Sequence, residues 1–224
     1  MRVAIAGGHG KVGLRLARRL TQRGDQVRSI IRRAEHEHDV REAGAEPVVC
    51  DLEAAENGQL ADAVGDVDAV VFAAGAGSGS GPERKWTIDY GGAVKLIAAA
   101  HIGGIDRYVM LSSIGADAER EGDDTFSVYL RAKGKADVEL MDSGLDYTIV
   151  RPTFMNDEPG SGTIRIAEHV GKSEISRDDV AGVLAAVLHE PGTIGLVFEV
   201  AAGETPIDEA IAAIAERRET WQST

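Results

Sequence analysis

The feature that most constrains this chain is its opening segment, RVAIAGGHGKVGLRLARRL. A β-branched run, VAIAG (3–7), meets a glycine turn and then the helix-period run LRLARRLTQRG. Gly7, Gly10 and Gly13 recur at every third position across that turn. Such glycines permit a tight reversal and let bare backbone approach a pyrophosphate. The helix start beyond them offers free N–H groups and the positive end of its dipole. His9, Lys11 and Val12 belong to the same turn. A strand, glycine turn and helix at the head of a βα alternation is the signature of a dinucleotide-binding sheet.

The alternation continues. Further candidate strands are QVRSIIR (26–32), EPVVC (46–50), DAVVFAA (68–74), DRYVMLSS (106–113), DYTIVRP (146–152), GTIRIAEH (162–169) and IGLVFEVA (194–201). Helical stretches are expected near 11–23, 34–43, 56–63, 83–102, 125–142, 177–189 and 205–217. Strands alternating with helices imply βαβ units, and uninterrupted apolar runs imply strands covered on both faces. The expected fold is α/β: a Rossmann-type doubly wound, mainly parallel sheet with helices on both faces. It fills one domain, 1–224, with a short substrate-side elaboration at about 152–176. The Gly/Ser loop AAGAGSGSGPE (73–83) leaves the C-terminal end of the fourth strand, where ligands bind in open α/β sheets. Ala73, Ala74 and Gly75 are therefore cofactor-side candidates.

The second strand ends SIIRRAEHEH. A cofactor without a 2′-phosphate ordinarily meets an acidic side chain at this point, whereas NADP meets arginine. Arg32 and Arg33 stand here and suit a phosphate through charge-assisted hydrogen bonds, so NADP(H) is expected over NAD(H). At the third strand's exit, VVCDLEAAE, Asp51 can accept from the adenine amino group with Leu52 packed nearby; a turn or capping role fits it equally. Cys50 reads as a small core residue. His36 and His38 read as surface residues, and no metal site is expected.

The formal net charge of −13 repels phosphate backbones and anionic lipid, and an aromatic content of 4% leaves few stacking platforms. No apolar run approaches the ~20 residues that span a bilayer. The expected partner is a small-molecule substrate, not nucleic acid or a membrane. One cysteine and an N-terminus unlike a signal peptide point to the cytoplasm. The oligomeric state is not legible.

The blocks AGGHGKVG, CDLEAAE, VVFAAG, IDYGGAVKLIAAA, YVMLSSIGA, YLRAKGKAD, SGLDYTIVRP and ISRDDVAGVL occur in that order. Together they resemble the short-chain dehydrogenase/reductase superfamily, in its atypical, NAD(P)-binding epimerase/dehydratase-like branch. Biliverdin/flavin reductases and NmrA-like redox sensors are similar in the same way. The resemblance implies a catalytic set of Tyr129 and Lys133, from YLRAK, with Ser113 at the end of the fifth strand. Tyr129 would donate or accept the proton, Lys133 would lower its pKa and hold the nicotinamide ribose, and Ser113 would bind the substrate carbonyl. Ser112 is the other candidate hydroxyl and a cofactor contact, and Pro152 and Thr153 would flank the nicotinamide. Asp89 stands where many members carry an asparagine that completes a proton relay.

Ser176-x-x-Asp179 reads as a capping box opening a helix. The expected function is an NADPH-dependent oxidoreductase passing hydride to a small carbonyl, quinone or flavin. The alternatives are a non-catalytic NADP(H) sensor and an NAD(P)-dependent epimerase or dehydratase. The short segment after TIVRP disfavours a nucleotide-sugar substrate.

Overall fold

The computed structural model describes residues 1–77 and 79–217. Its strands are β1 (Arg2–Ala6), β2 (Gln26–Ile31), β3 (Glu46–Val49), β4 (Ala69–Phe72), β5 (Arg107–Leu111), β6 (Asp146–Pro152), β7 (Phe154–Asn156), β8 (Thr163–Ala167), β9 (Glu174–Ser176), β10 (Leu196–Ala202) and β11 (Thr205–Pro206). One sheet runs β3-β2-β1-β4-β5-β6-β10-β8-β11, and β7 pairs with β9 in a small parallel sheet of its own. The large sheet is parallel from β3 to β10; β8 runs antiparallel to β10, and β11 runs antiparallel to β8. The chain leaves β6 at the C-terminal edge, and the short connection 153–162 cannot carry it back across the sheet. So β8 descends from that edge. The strands β7, β9 and β11 are too short to show a period-two pattern, and the sequence does not announce them.

The helices are α1 (Lys11–Gln22), α2 (Glu37–Glu42), α3 (Asn57–Val64), α4 (Pro82–Arg84), α5 (Gly91–Gly103), α6 (Thr125–Met141), α7 (Arg177–His189) and α8 (Ile207–Glu216). The helix expected at 83–102 is interrupted: a π-helical stretch, Lys85–Tyr90, joins α4 to α5. Among the described residues, no helix is long and apolar enough to cross a membrane.

Because successive strand residues face opposite sides, Val3, Ile5 and Val71 pack against Leu16, Leu20, Val183 and Leu184 on one face. Ala4, Val70 and Phe72 pack against Leu60, Leu96 and Leu140 on the other. Both faces are therefore dry, as the apolar runs require. Ser176 caps α7 by accepting from Asp178 N at 3.0 Å. The box with Asp179 does not form. The Asp179 carboxylate instead accepts from Gly162 N at 2.8 Å and Ser161 N at 3.0 Å, because the loop before β8 presents unpaired N–H groups to it.

Candidate cofactor and catalytic site

The glycine turn sits at the C-terminal edge of β1, beside β4, where the strand order reverses. Gly7 adopts φ +87°, and a Cβ there would lie 2.6 Å from Ala74 Cα. A Cβ on Gly13 would lie 2.4 Å from Gly7 O, and one on Gly8 2.4 Å from Ser29 Cβ. Gly8 was not legible as part of the motif, since its constraint comes from β2. Gly10 is the N-cap of α1 and supplies no side-chain cap, so the first N–H groups of the helix stay open to a ligand. Val12 lines the cleft described below, whereas Gly13 is not in its wall and packs against the turn's backbone.

An adenosine-sized cleft of about 240 Å³ opens between the ends of β1, β2, β3 and β4. Gly7, His9, Arg32, Asp51, Leu52 and Ala73 are in its wall, with Cys50, His36 and Arg84. Arg32 has no hydrogen-bond or ion-pair partner among the described residues, whereas Arg33 pairs with Glu35 at 2.8 Å and is not in the wall. The two arginines are thus not equivalent. One Asp51 oxygen accepts from Glu53 N at 3.0 Å, the turn role weighed above. Cys50 packs, partly buried, against the core and also reaches the wall, with burial pushing its thiol up. His36 is no isolated surface residue: its ring stacks on His9 at 3.7 Å and 6°, and His9 Nε2 lies 2.7 Å from Asp39.

A second cleft, about 650 Å³, continues from the first across Gly10, Ala73, Ala74 and Gly75. It reaches Leu111, Ser112, Tyr129 and Lys133. Tyr129 and Lys133 lie one turn apart on α6, on the face turned to the end of β5. Lys133 Nζ donates to Leu111 O at 2.9 Å and lies 3.8 Å from Asp89 Oδ1. Asp89 Oδ2 accepts from Ala76 N at 3.1 Å, tying the loop after β4 to the π-helical stretch. Burial pulls the Lys133 ammonium down, with the Asp89 and Asp137 carboxylates opposing.

Four site residues differ from what the resemblance implies. Burial first, and then the Asp89 and Asp137 carboxylates, push the Tyr129 phenol up to about 12, against a hydrogen bond from Ser113. The Lys133 ammonium is held by Leu111 O and lies 3.8 Å from Asp89. Ser112 is no free hydroxyl, since its Oγ donates to buried Asp137 at 2.8 Å. Arg151 Nε donates to the same Asp137 oxygen at 2.9 Å. Ser113 is left beside the phenol, with its Oγ also within 3.2 Å of Ile114 O. Pro152 and Thr153 are not in the cleft wall, which Met155 reaches instead; the buried Thr153 hydroxyl has no partner among the described residues. Lys85, which sequence reasoning missed, lies in this cleft as well.

Backbone cleared of side chains at Gly7 and Gly13, an uncapped helix start and two joined clefts at the switch point fit an extended dinucleotide. The fold and this cradle define an NAD(P)-binding Rossmann protein of the epimerase/dehydratase-like kind. The chain belongs to the NAD(P)H-binding family, whose profile matches residues 7–191. It is 37% identical to the uncharacterized sugar epimerase YhfK of Bacillus subtilis (strain 168), over 94% of this chain and 99% of that protein. A solved structure from Bacillus halodurans, named for an NAD-dependent epimerase/dehydratase, matches at 38% identity and TM-score 0.88, covering 95% of this chain and 99% of its own. The oxidoreductase ylbE of Lactococcus lactis matches at 28% identity and TM-score 0.84, covering 96% and 97%.

Proposed function

We propose that the protein is an NADPH-dependent reductase of a small carbonyl, quinone or flavin acceptor, with Tyr129 as proton donor to a carbonyl. The observation that carries this reading is that Tyr129 and Lys133 line the cleft continuous with the glycine turn, with the Ser113 hydroxyl beside the phenol. The bound cofactor would supply hydride. The open N–H groups of α1 would hold its pyrophosphate, and Arg32, free of an ionic partner, its 2′-phosphate. Lys133 would hold the nicotinamide ribose and Ser113 would orient the acceptor oxygen. A phenol at about 12 keeps its proton near neutrality, so Tyr129 is suited to giving a proton to a reduced oxygen rather than to abstracting one.

The test is NADPH oxidation with a panel of aldehydes, quinones and flavins. Turnover of at least one acceptor is expected. With an aldehyde, Tyr129→Phe should lower kcat by about 10²-fold or more, the size of a general-acid contribution. Tight NADPH binding with no turnover across the panel would instead favour a redox sensor. Tightly held NAD with no net cofactor consumption would favour an epimerase, as the name of the Bacillus subtilis relative suggests. For the cofactor, Arg32→Ala should weaken NADPH about tenfold and leave NADH unchanged, the worth of a charged hydrogen bond. Arg33→Ala should change either affinity by less than about threefold, since Glu35 already holds that guanidinium. A wild type that prefers NADH would sink the assignment.

A further inference from the structure

The acceptor cleft is cationic within an acidic protein. Lys11, Lys85, Lys133 and Arg177 are in its wall against Asp89 alone, in a chain of net charge −13. Three of the four cations already have a carboxylate. Asp157 lies 2.5 Å from Lys11 and 3.2 Å from Arg177, and Asp89 lies 3.8 Å from Lys133. Lys85 does not. It is 7% exposed, it donates to Gly77 O at 2.9 Å, and its Nζ stands 5.4 Å from the centre of the Tyr129 ring. Among the described residues no carboxylate pairs with it.

An ammonium carries three donors, and the Gly77 carbonyl occupies one. Burying a cation without a counter-ion is costly, and the cost falls when a ligand brings the missing charge. The position is not incidental to the helix. The π-helical stretch turns both Lys85 and Asp89 inward, and such wide turns recur at functional sites.

We propose that Lys85 is a recognition group for an acceptor bearing a carboxylate, and that it selects such an acceptor over its neutral analogue. Leu111, Phe126, Tyr129 and Met155 line the same cleft and offer an apolar bed for a planar body beside that carboxylate. The proposal rests on the reductase reading for the word acceptor, but the binding it describes does not require turnover.

The experiment is calorimetric titration of the NADP⁺-loaded protein with 4-carboxybenzaldehyde and with its methyl ester, which differ in charge at one end. The carboxylate should bind about tenfold tighter than the ester, the worth of one charge-assisted hydrogen bond. Lys85→Gln should abolish that preference and Lys85→Arg should keep most of it. Lys85→Met, which retains the aliphatic stem, gives the same readout if the glutamine variant does not fold. Equal binding of the two probes, binding of neither at millimolar concentration, or a preference surviving Lys85→Gln and Lys85→Met would overturn the proposal. Carboxylate-selective binding without oxidation of NADPH by the aldehyde would leave it standing and count against the reductase reading.

Discussion

Gly10 and Gly13 share a turn but are glycine for different reasons. A Cβ at Gly13 would meet Gly7 O at 2.4 Å, a backbone atom that cannot move without opening the turn. At Gly10 the nearest contact, also Gly7 O, would be 3.1 Å, which a few tenths of an ångström relieves. Gly13→Ala is therefore expected to cost about 1–3 kcal/mol in urea denaturation and to weaken cofactor binding. Gly10→Ala should melt near the wild type yet weaken NADPH, because its methyl group would stand at the open helix start. Equal stability losses in the two variants would contradict this division. The Tyr129 phenol gives a second outcome at the same scale. Below its pKa of about 12 it remains protonated, so the proton donor is lost only as pH rises towards that value. The kcat/KM for aldehyde reduction should show no falling limb owed to Tyr129 up to about pH 10. A limb near pH 8 that vanished in Tyr129→Phe would show that the reduced cofactor lowers the phenol after all.

At the scale of elements, the glycine turn, the βα order and the YxxxK pair were legible because each is local. A turn, a period and an i,i+4 spacing are written in adjacent residues. What was not legible depends on partners far along the chain. The Ser112 hydroxyl is taken by Asp137, two turns beyond Tyr129 on α6. Lys85 looks like an ordinary helix residue until the π-helical stretch turns it inward beside Asp89. Arg107, at the start of β5, is likewise fixed by distant partners, as a buried staple. Its guanidinium donates to Asp146 O at 2.9 Å, Thr148 Oγ1 at 2.8 Å and Val187 O at 2.7 Å, joining β5, β6 and the end of α7. Burial pulls it down to about 10, so it remains charged near neutrality. Arg107→Met would strand those acceptors, and a loss of about 2–4 kcal/mol is expected in urea denaturation. A loss under about 0.5 kcal/mol would mean that water replaces the guanidinium at no cost.

For the whole molecule, charge is arranged by sign and depth. The surplus of acid lies outside, the cleft is cationic, and a few buried carboxylates tie together segments distant in sequence. Asp25 is one of these. It follows α1, its Oδ2 lies 2.8 Å from His189 Nε2 at the end of α7, and its Oδ1 accepts from the Met1 amino group at 2.6 Å. Burial works to raise this carboxyl, but the bonds from the amino group and His189 outweigh it and hold it below the ordinary range. A carboxylate depressed in the folded state stabilises the fold above its unfolded pKa of about 3.9, and that stabilisation is lost as pH falls through the lower folded value. Asp25→Asn should thus be destabilised by about 1–3 kcal/mol at pH 7 in urea denaturation, the cost of disrupting a buried charged hydrogen bond. The gap between variant and wild type should stay constant down to about pH 5, then narrow as the wild type itself takes up the proton. A gap that persisted unchanged well below about pH 4 would show that the Asp25 carboxylate is not the source of that stability.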